Sequence, residues 1–429
     1  MMSLSHVCIS QLLRKGSEEI LSSNASRTHS ASLPRSVVRL IIAQTFSIFG
    51  DDFTEVAIAI FALDVSRHNP AALGLVLSMV FWPGVVWSGL VAGFIDRLNK
   101  KVVLIAGDLG RAALVISIPF IHTLLWATVA MFLMYSLATF YRPVVRSVQP
   151  SLAGDPDVND RANAQMELWA SVAQVVSYIA AGFLILKFGV VFGFSVDAVT
   201  FVISALAIMG IHAGRDFWAP TVEAMQGRFL TKIQEAVQYY RTSPTLLILT
   251  AISILAMMAL GGANVLTAPA MRSLWNQPTA HYSWALVAIA LGAMVGSRGL
   301  QRWLRPKNYR NLMIIGFFGL ALTMFAVSHV HTITAALIIL FFGGMLNVFF
   351  NGSIITWIQR TTPEAIRPRV LTLRGLILGI GGGLGAFGAG VVARTVGLVP
   401  AFTTIGILLL LGVVGALRLK PYPKAPGPG

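Results

Sequence analysis

Apolar runs of about 20 residues, separated by short charged connections, recur along almost the whole chain. About 20 residues of α-helix cross the hydrocarbon core of a bilayer. The runs predict spans over 37–63, 71–95, 102–122, 124–143, 164–187 and 190–211. After a polar stretch they resume over 244–270, 283–303, 311–330, 333–357, 370–392 and 397–418. The segment Asn311–Gln359 has no Asp, Glu, Lys or Arg and is too long for one crossing. Ser328-His329-Val330-His331-Thr332 supplies the turn that divides it. The expected fold class is therefore all-α integral membrane, with twelve transmembrane helices in two six-helix halves.

The halves are 37–211 and 244–418. The stretch 212–243 between them is expected to be a cytosolic linker. Within it Leu230–Tyr240 predicts an amphipathic helix, with Ile233, Val237 and Tyr240 on one face. Residues 1–36 carry Arg14, Lys15, Glu18, Glu19 and a Ser-rich run, without an apolar stretch long enough for a signal peptide. They read as a cytosolic tail, as does the Pro-rich 419–429. A weak internal repeat supports the division: a shift of 208 residues places Arg161 on Arg369, Gly182 on Gly390, Gly189 on Gly397 and Phe194 on Phe402. A shift of 206 aligns Gly93 with Gly299, Leu98 with Leu304 and Lys101 with Lys307, and puts Asp96 on Arg302.

Composition agrees. Of 429 residues, 56% are hydrophobic and only 11% charged, against about 25% charged in a soluble domain. The net charge of +15 raises nucleic-acid binding, but the distribution of the basic residues excludes it. Of the 32 Lys and Arg residues, 27 fall on the side of the two termini and four (Arg67, Lys187, Arg272, Arg394) on the other, with Arg111 inside a span. The positive-inside rule then places both termini in the cytosol. Cys8 is the only cysteine, which removes both a disulfide framework and a zinc-ligand set.

The candidate chemistry is sparse. A charged turn, Gly93-Phe-Ile-Asp96-Arg97-Leu-Asn99-Lys100-Lys101, joins the second and third spans. Asp108 and Arg111 lie about one to two turns into the third span and share a face. Charges at that depth are costly and default to a functional or partnered role. In a gate, Asp96 accepts hydrogen bonds from Arg111 or a helix N-terminus and closes the cytosolic side. The plainer alternative is a positive-inside turn with Asp96 as a helix cap. Asp51, Asp52 and Glu55 sit in the middle of the first span, where a carboxylate that takes up a proton suits proton coupling; packing through hydrogen bonds is the alternative. Asn264, Asn347 and Asn351 are amides at mid-membrane depth, suited to lining a substrate cavity or to bonding between helices. Asp197 is expected to be structural. Trp82, Trp87, Trp169, Phe349 and Phe350 offer either stacking faces or packing. The glycine-rich run Gly379–Gly390 belongs to a membrane helix, where small residues allow close packing; it is not a dinucleotide fingerprint.

Gly93-x-x-Asp96-Arg97-x-x-x-Lys101 between the second and third spans, inside two six-helix halves, resembles the major facilitator superfamily. That family's loop pattern is G-x-x-x-D-R-x-G-R-K, from which Asn99 and Lys100 depart. Gln44-Thr-x-Ser47-x-x-Gly50-Asp51, Asp108-x-x-Arg111-Ala112 and Ala162-Asn163-Ala164 resemble its enterobactin-exporter-like and macrolide-efflux-like branch. So do Glu235-Ala-x-x-Tyr239 and Gln359-Arg360-Thr-Thr-Pro363-Glu364-x-x-Arg367-x-Arg369-Val370. The resemblance covers 37–418. It implies a cytosolic gate made by Gly93, Asp96, Arg97, Lys101, Asp108 and Arg111, with Arg367, Arg369 and Arg374 on the second half.

The function expected is secondary active transport by alternating access: proton-coupled efflux of a small amphipathic molecule of drug or siderophore type. The alternative is an importer, a lipid-moving member or an uncoupled facilitator of the same superfamily. The expected setting is the cell membrane, a bacterial inner membrane, with the chain acting as a monomer. Protons, a small-molecule substrate and the lipid bilayer are its partners; no nucleic acid, cofactor or metal is expected. No Walker motif couples ATP, and no H-E-x-x-H or G-x-S-x-G marks an enzyme.

Overall fold

The computed structural model describes residues 33–87, 98–219, 229–303 and 308–419. The first half consists of α1 (Arg35–Val65), α2 (Pro70–Ser78), α3 (Lys100–Ile121), α4 (Leu124–Ala153), α5 (Pro156–Phe188) and α6 (Val190–Met209). The second half consists of α7 (Pro244–Ser273), α8 (Tyr282–Trp303), α9 (Tyr309–His329), α10 (Ile333–Thr361), α11 (Arg367–Val396) and α12 (Leu398–Leu417). A linking helix, Phe229–Thr242, joins them. The charge-free run from Asn311 to Gln359 is divided as its polar turn predicts, between His329 and Ile333.

Eleven helices among the described residues are long and apolar enough to cross a membrane, with α2 continuing apolar to Trp87. The twelfth expected span, 37–63, differs from them in composition. It forms α1, 31 residues and therefore about 46 Å long. Asp51, Asp52 and Glu55 at its centre keep it out of the apolar set. α1 is the helix most in need of protein partners, and it packs along both α5 and α6.

Polar residues at the helix starts do what their side chains dictate. Asn99, Thr123, Asp155 and Ser243 accept hydrogen bonds from the first free backbone N–H groups of α3, α4, α5 and α7. Pro156 and Pro244 follow Asp155 and Ser243 at the first helical position, where no N–H is needed. Asn99, the departure from the family's loop pattern, is thus the cap of α3.

Helix pairing is the same in both halves. The contacts α1–α6, α1–α5, α3–α6 and α3–α4 recur as α7–α12, α7–α11, α9–α12 and α9–α10. The aligned glycines of the repeat occupy matching places. Gly189 and Gly397 end α5 and α11 with φ of 85° and 100°, a conformation that favours glycine. Gly182 and Gly390 mark where the halves meet. A Cβ on Gly182 of α5 would collide with Ser283 of α8, and one on Gly390 of α11 would collide with Pro70 and Ala71 of α2. Both contacts lie at the end away from the linking helix, here termed the far end; the opposite end is the linker end. At the far end the Arg272 guanidinium also meets His68 Nε2 across the halves at 2.7 Å.

Candidate functional site

α1 carries its carboxylates into three different surroundings. Asp52 is buried and accepts a hydrogen bond from Ser177 of α5. Asp51 lines a polar cavity of about 680 Å³ formed by the linker-end parts of α1, α3, α4 and α5. Arg111, Arg142, Arg146 and Glu167 line it too, with Arg142, Arg146 and Glu167 exposed. Glu55, one turn beyond Asp51, lines a second cavity of about 400 Å³ between the two halves.

Glu55 is held from both sides of that central cavity. Tyr178 of α5 donates its hydroxyl to one carboxylate oxygen at 2.7 Å, and Asn264 of α7 donates Nδ2 to the other at 3.0 Å. Asn264 in turn accepts from the Tyr282 hydroxyl through Oδ1. One carboxylate therefore bonds to a donor from each half. The surrounding wall is apolar, with Phe81 and Met131 from the first half and Met257, Leu286 and Met324 from the second. Asn347 also lines it, and its Oδ1 is buried without a hydrogen-bond partner. Asn351, one turn nearer the linker end, is exposed: the lining of α10 stops at Asn347. Of the aromatic candidates, Trp82, Trp87, Trp169, Phe349 and Phe350 are not among the lining residues, whereas Phe81 and Tyr135 are.

Asp108 and Arg111 form a buried ion pair at 2.5 Å, with Arg111 at the edge of the polar cavity. Asp108 also accepts from Ser204 of α6 at 2.7 Å and from Tyr141 of α4 at 3.4 Å. The Arg111 guanidinium lies between the Tyr141 and Phe201 rings, 4.6 and 4.3 Å from their centroids. Asp197 of α6 accepts from Thr54 of α1 at 2.5 Å. A Cβ on Gly50 would meet Thr200 and Asp197, so α1 and α6 approach closely there. These groups weld α1, α3, α4 and α6 together.

Gly93, Asp96 and Arg97 lie outside the described residues. Lys101 has a defined place: its Nζ donates to the Met209 and Ile211 carbonyls at 2.9 and 3.1 Å and lies over the Trp218 ring. Arg39 donates to Gly210. Two cations thus satisfy the orphan carbonyls at the end of α6, the favourable end of the helix dipole for positive charge. On the second half, Arg369 pairs with Glu235 of the linking helix, and Arg367 lies 4.0 Å from the exposed Glu364. Arg374 is buried, donates to Ser253 at 3.2 Å and leaves its Nε unpartnered. Tyr240 of the linking helix donates to the Val370 carbonyl at 3.5 Å and accepts from Thr250 at 3.2 Å. Burial pushes its hydroxyl pKa up from 10, which keeps it a donor.

Tyr178, Tyr282 and Phe81 escaped sequence reasoning. Tyrosine inside an apolar run is common, and only the rotation of α5 and α8 turns these two toward Glu55 and Asn264. A signal was available for Tyr178: it follows Ser177 in a polar pair within a span.

Comparison with known proteins agrees with this architecture. The family model described as Major Facilitator Superfamily matches residues 40–364. The multidrug efflux pump Tap of Mycolicibacterium fortuitum is 24% identical over 391 residues, which cover 87% of this chain and 94% of Tap. Macrolide efflux protein A of Streptococcus pyogenes is 21% identical over 384 residues, 86% of this chain and 91% of that protein. An uncharacterized MFS-type transporter, YfiS of Bacillus subtilis strain 168, is 23% identical over 407 residues, covering 90% and 93%. Among solved structures the nucleoside transporter NupG superposes with a TM-score of 0.73 at 15% identity, over 89% of this chain and 97% of NupG. At that identity the likeness is one of fold.

Proposed function

Because the chain belongs to the major facilitator superfamily, we propose that it is a proton-coupled exporter of small amphipathic molecules. As a member of that family it is a multi-pass membrane protein and a secondary transporter, not an enzyme. The finer reading has alternating access between 37–211 and 244–418, both termini in the cytosol of a bacterial cell, and the monomer as the working unit. Two relatives named for drug and macrolide efflux support the direction.

The bonding of Glu55 carries the proposal. An ionised carboxylate accepts from both Tyr178 and Asn264 and so ties the halves together across the cavity. A protonated carboxyl gains a donor and loses acceptor strength, which loosens the tie to the Asn264 amide. Charge-assisted hydrogen bonds are roughly twice as strong as neutral ones, so the proton changes the relative energy of the two conformations. Asp51, one turn away and lining the polar cavity, would exchange a proton with water on the linker side. The gate follows from the same frame. Arg367, Arg369 and Arg374 all belong to α11, and together with residues Gly93, Asp96 and Arg97 they would close the linker side.

The test is transport in proteoliposomes under an imposed pH gradient, with wild type, Glu55→Gln and Asp51→Asn compared over a panel of dyes and siderophore-like compounds. Gradient-driven flux that falls to background in Glu55→Gln supports antiport. Flux that ignores the gradient and survives both substitutions leaves an uncoupled facilitator, a lipid-moving member or an importer of the same family.

A further inference from the structure

We infer that the central cavity selects bulky organic cations over anions, and that the Asn264 amide occupies the cation's place on Glu55 when the cavity is empty. The inference rests on the transport reading and narrows its substrate class: hydrophobic amines and onium compounds, not polyanionic chelators.

The charge of the lining carries the selection. Glu55 contributes a carboxylate, and among the described residues no Lys, Arg or His lines this cavity. Three arginines within the spans of the first half lie elsewhere: Arg111 is paired with Asp108, and Arg142 and Arg146 line the polar cavity. An anion entering the centre would therefore be desolvated beside a carboxylate with no cation to meet it, which is strongly unfavourable in a low-dielectric site. A cation finds the carboxylate together with the Phe81 and Tyr135 rings, whose faces attract positive charge, and the thioethers of Met131, Met257 and Met324, which adapt to irregular shapes.

The bonding of Glu55 defines what the cation replaces. Tyr178 holds one oxygen from within the first half and remains compatible with a bound ligand. Asn264 reaches the other oxygen from the second half, across the cavity. A cationic centre attracts a carboxylate more strongly than a neutral amide does. Asn264 can withdraw without stranding itself, since its Oδ1 retains the Tyr282 hydroxyl. Asn347 adds, from the second half, an amide Oδ1 with no internal partner, an acceptor for a hydroxyl or N–H of the ligand.

The test is equilibrium binding to purified protein in nanodiscs of neutral lipid, without any gradient, using the shape-matched pair tetraphenylphosphonium and tetraphenylborate. Retention by empty nanodiscs is subtracted. Wild type is expected to bind the phosphonium at least about tenfold more tightly, the scale of one charge-assisted contact. Glu55→Gln should collapse that ratio toward one, and Glu55→Asp should keep it. Asn264→Ala should tighten phosphonium binding by about twofold to fivefold, because a competing hydrogen bond is removed. Equal or preferred binding of the borate by wild type overturns the inference without any variant. Selectivity that survives in Glu55→Gln, or affinity that drops in Asn264→Ala, overturns the roles given to those two residues. Gradient-driven flux with anion preference would sink this inference and leave antiport standing; cation binding with gradient-indifferent flux would do the reverse.

Discussion

In the first half, α1, α3 and α6 bury Asp52, Asp108, Arg111 and Asp197. In the second half, from Pro244 to Arg418, the sole Asp or Glu is Glu364, exposed between α10 and α11. Arg374 is buried there with Ser253 as its partner. The helix pairing is nevertheless the same in both halves. One architecture therefore tolerates two interiors: one built around buried acidic side chains and Arg111, the other around Arg374, small residues, amides and apolar packing. The difference teaches where ion coupling can reside. Under the proposed antiport, the carboxylate that carries the proton would come from the first half. The second half answers it with neutral groups, Asn264 foremost.

The largest effect expected from breaking this contrast is on folding. Arg111→Met removes the guanidinium and strands Asp108, at about 3–5 kcal/mol, the cost of breaking a buried pair. Thermal unfolding in detergent should drop accordingly, and Arg111→Met combined with Asp108→Asn should recover much of the loss. Arg374→Met in the second half strands no carboxylate, so its loss is expected to be about 1 kcal/mol, the worth of the bond to Ser253. A drop as large as that of Arg111→Met would mean that the second half also depends on a buried charge.

Next in size is coupling. Glu55→Gln should lower gradient-driven flux by about 10- to 100-fold, corresponding to a charged hydrogen bond worth 1.5–3 kcal/mol. Asp51→Asn, which keeps the bridge to Asn264, is expected to slow proton exchange with a smaller effect on ligand affinity; stopped-flow pH traces and equilibrium binding separate the two. Smallest is Tyr240→Phe at the linking helix, about 0.5–1.5 kcal/mol in thermal stability. Because burial raises the Tyr240 pKa above 10, the folded state keeps its proton after the unfolded state has lost it. Its contribution should be flat below pH 10 and fall above it. A fall near neutral pH would assign the pH dependence to other groups.

The spans were legible because the period of charged breaks along the chain is coarser than any local ambiguity. The turn at Ser328–Thr332 and the paired Gly189 and Gly397 followed from sequence alone. Glu55 and Asn264 were legible as polar groups in apolar runs. Their contact was not, because 209 residues separate them and hydropathy does not fix helix rotation. The same blindness explains Asn351, which shares a helical face with Asn347 yet lies past the end of the cavity. It also explains why Asp51 and Glu55, four residues apart on α1, line different cavities: helix rotation and depth decide that, and hydropathy fixes neither. Lys101, expected at the gate, is engaged by the carbonyls at the end of α6, an acceptor that side-chain motifs do not reveal.

The three carboxylates of α1 also bear on how the chain is made. This helix emerges from the ribosome before any of its partners. Near a helix centre each Asp opposes partitioning into the bilayer by about 2.5–3.5 kcal/mol. Ser177, which satisfies Asp52, follows 125 residues later, and Asn264, which reaches Glu55, follows 209 later. Until α5 and α6 have been synthesised, α1 is a marginal passenger in the translocon, and its integration is a collective event of the first six helices. Substitutions at Ser177 or Tyr178 would then surface first as a protein that fails to accumulate, before any defect in flux is measured.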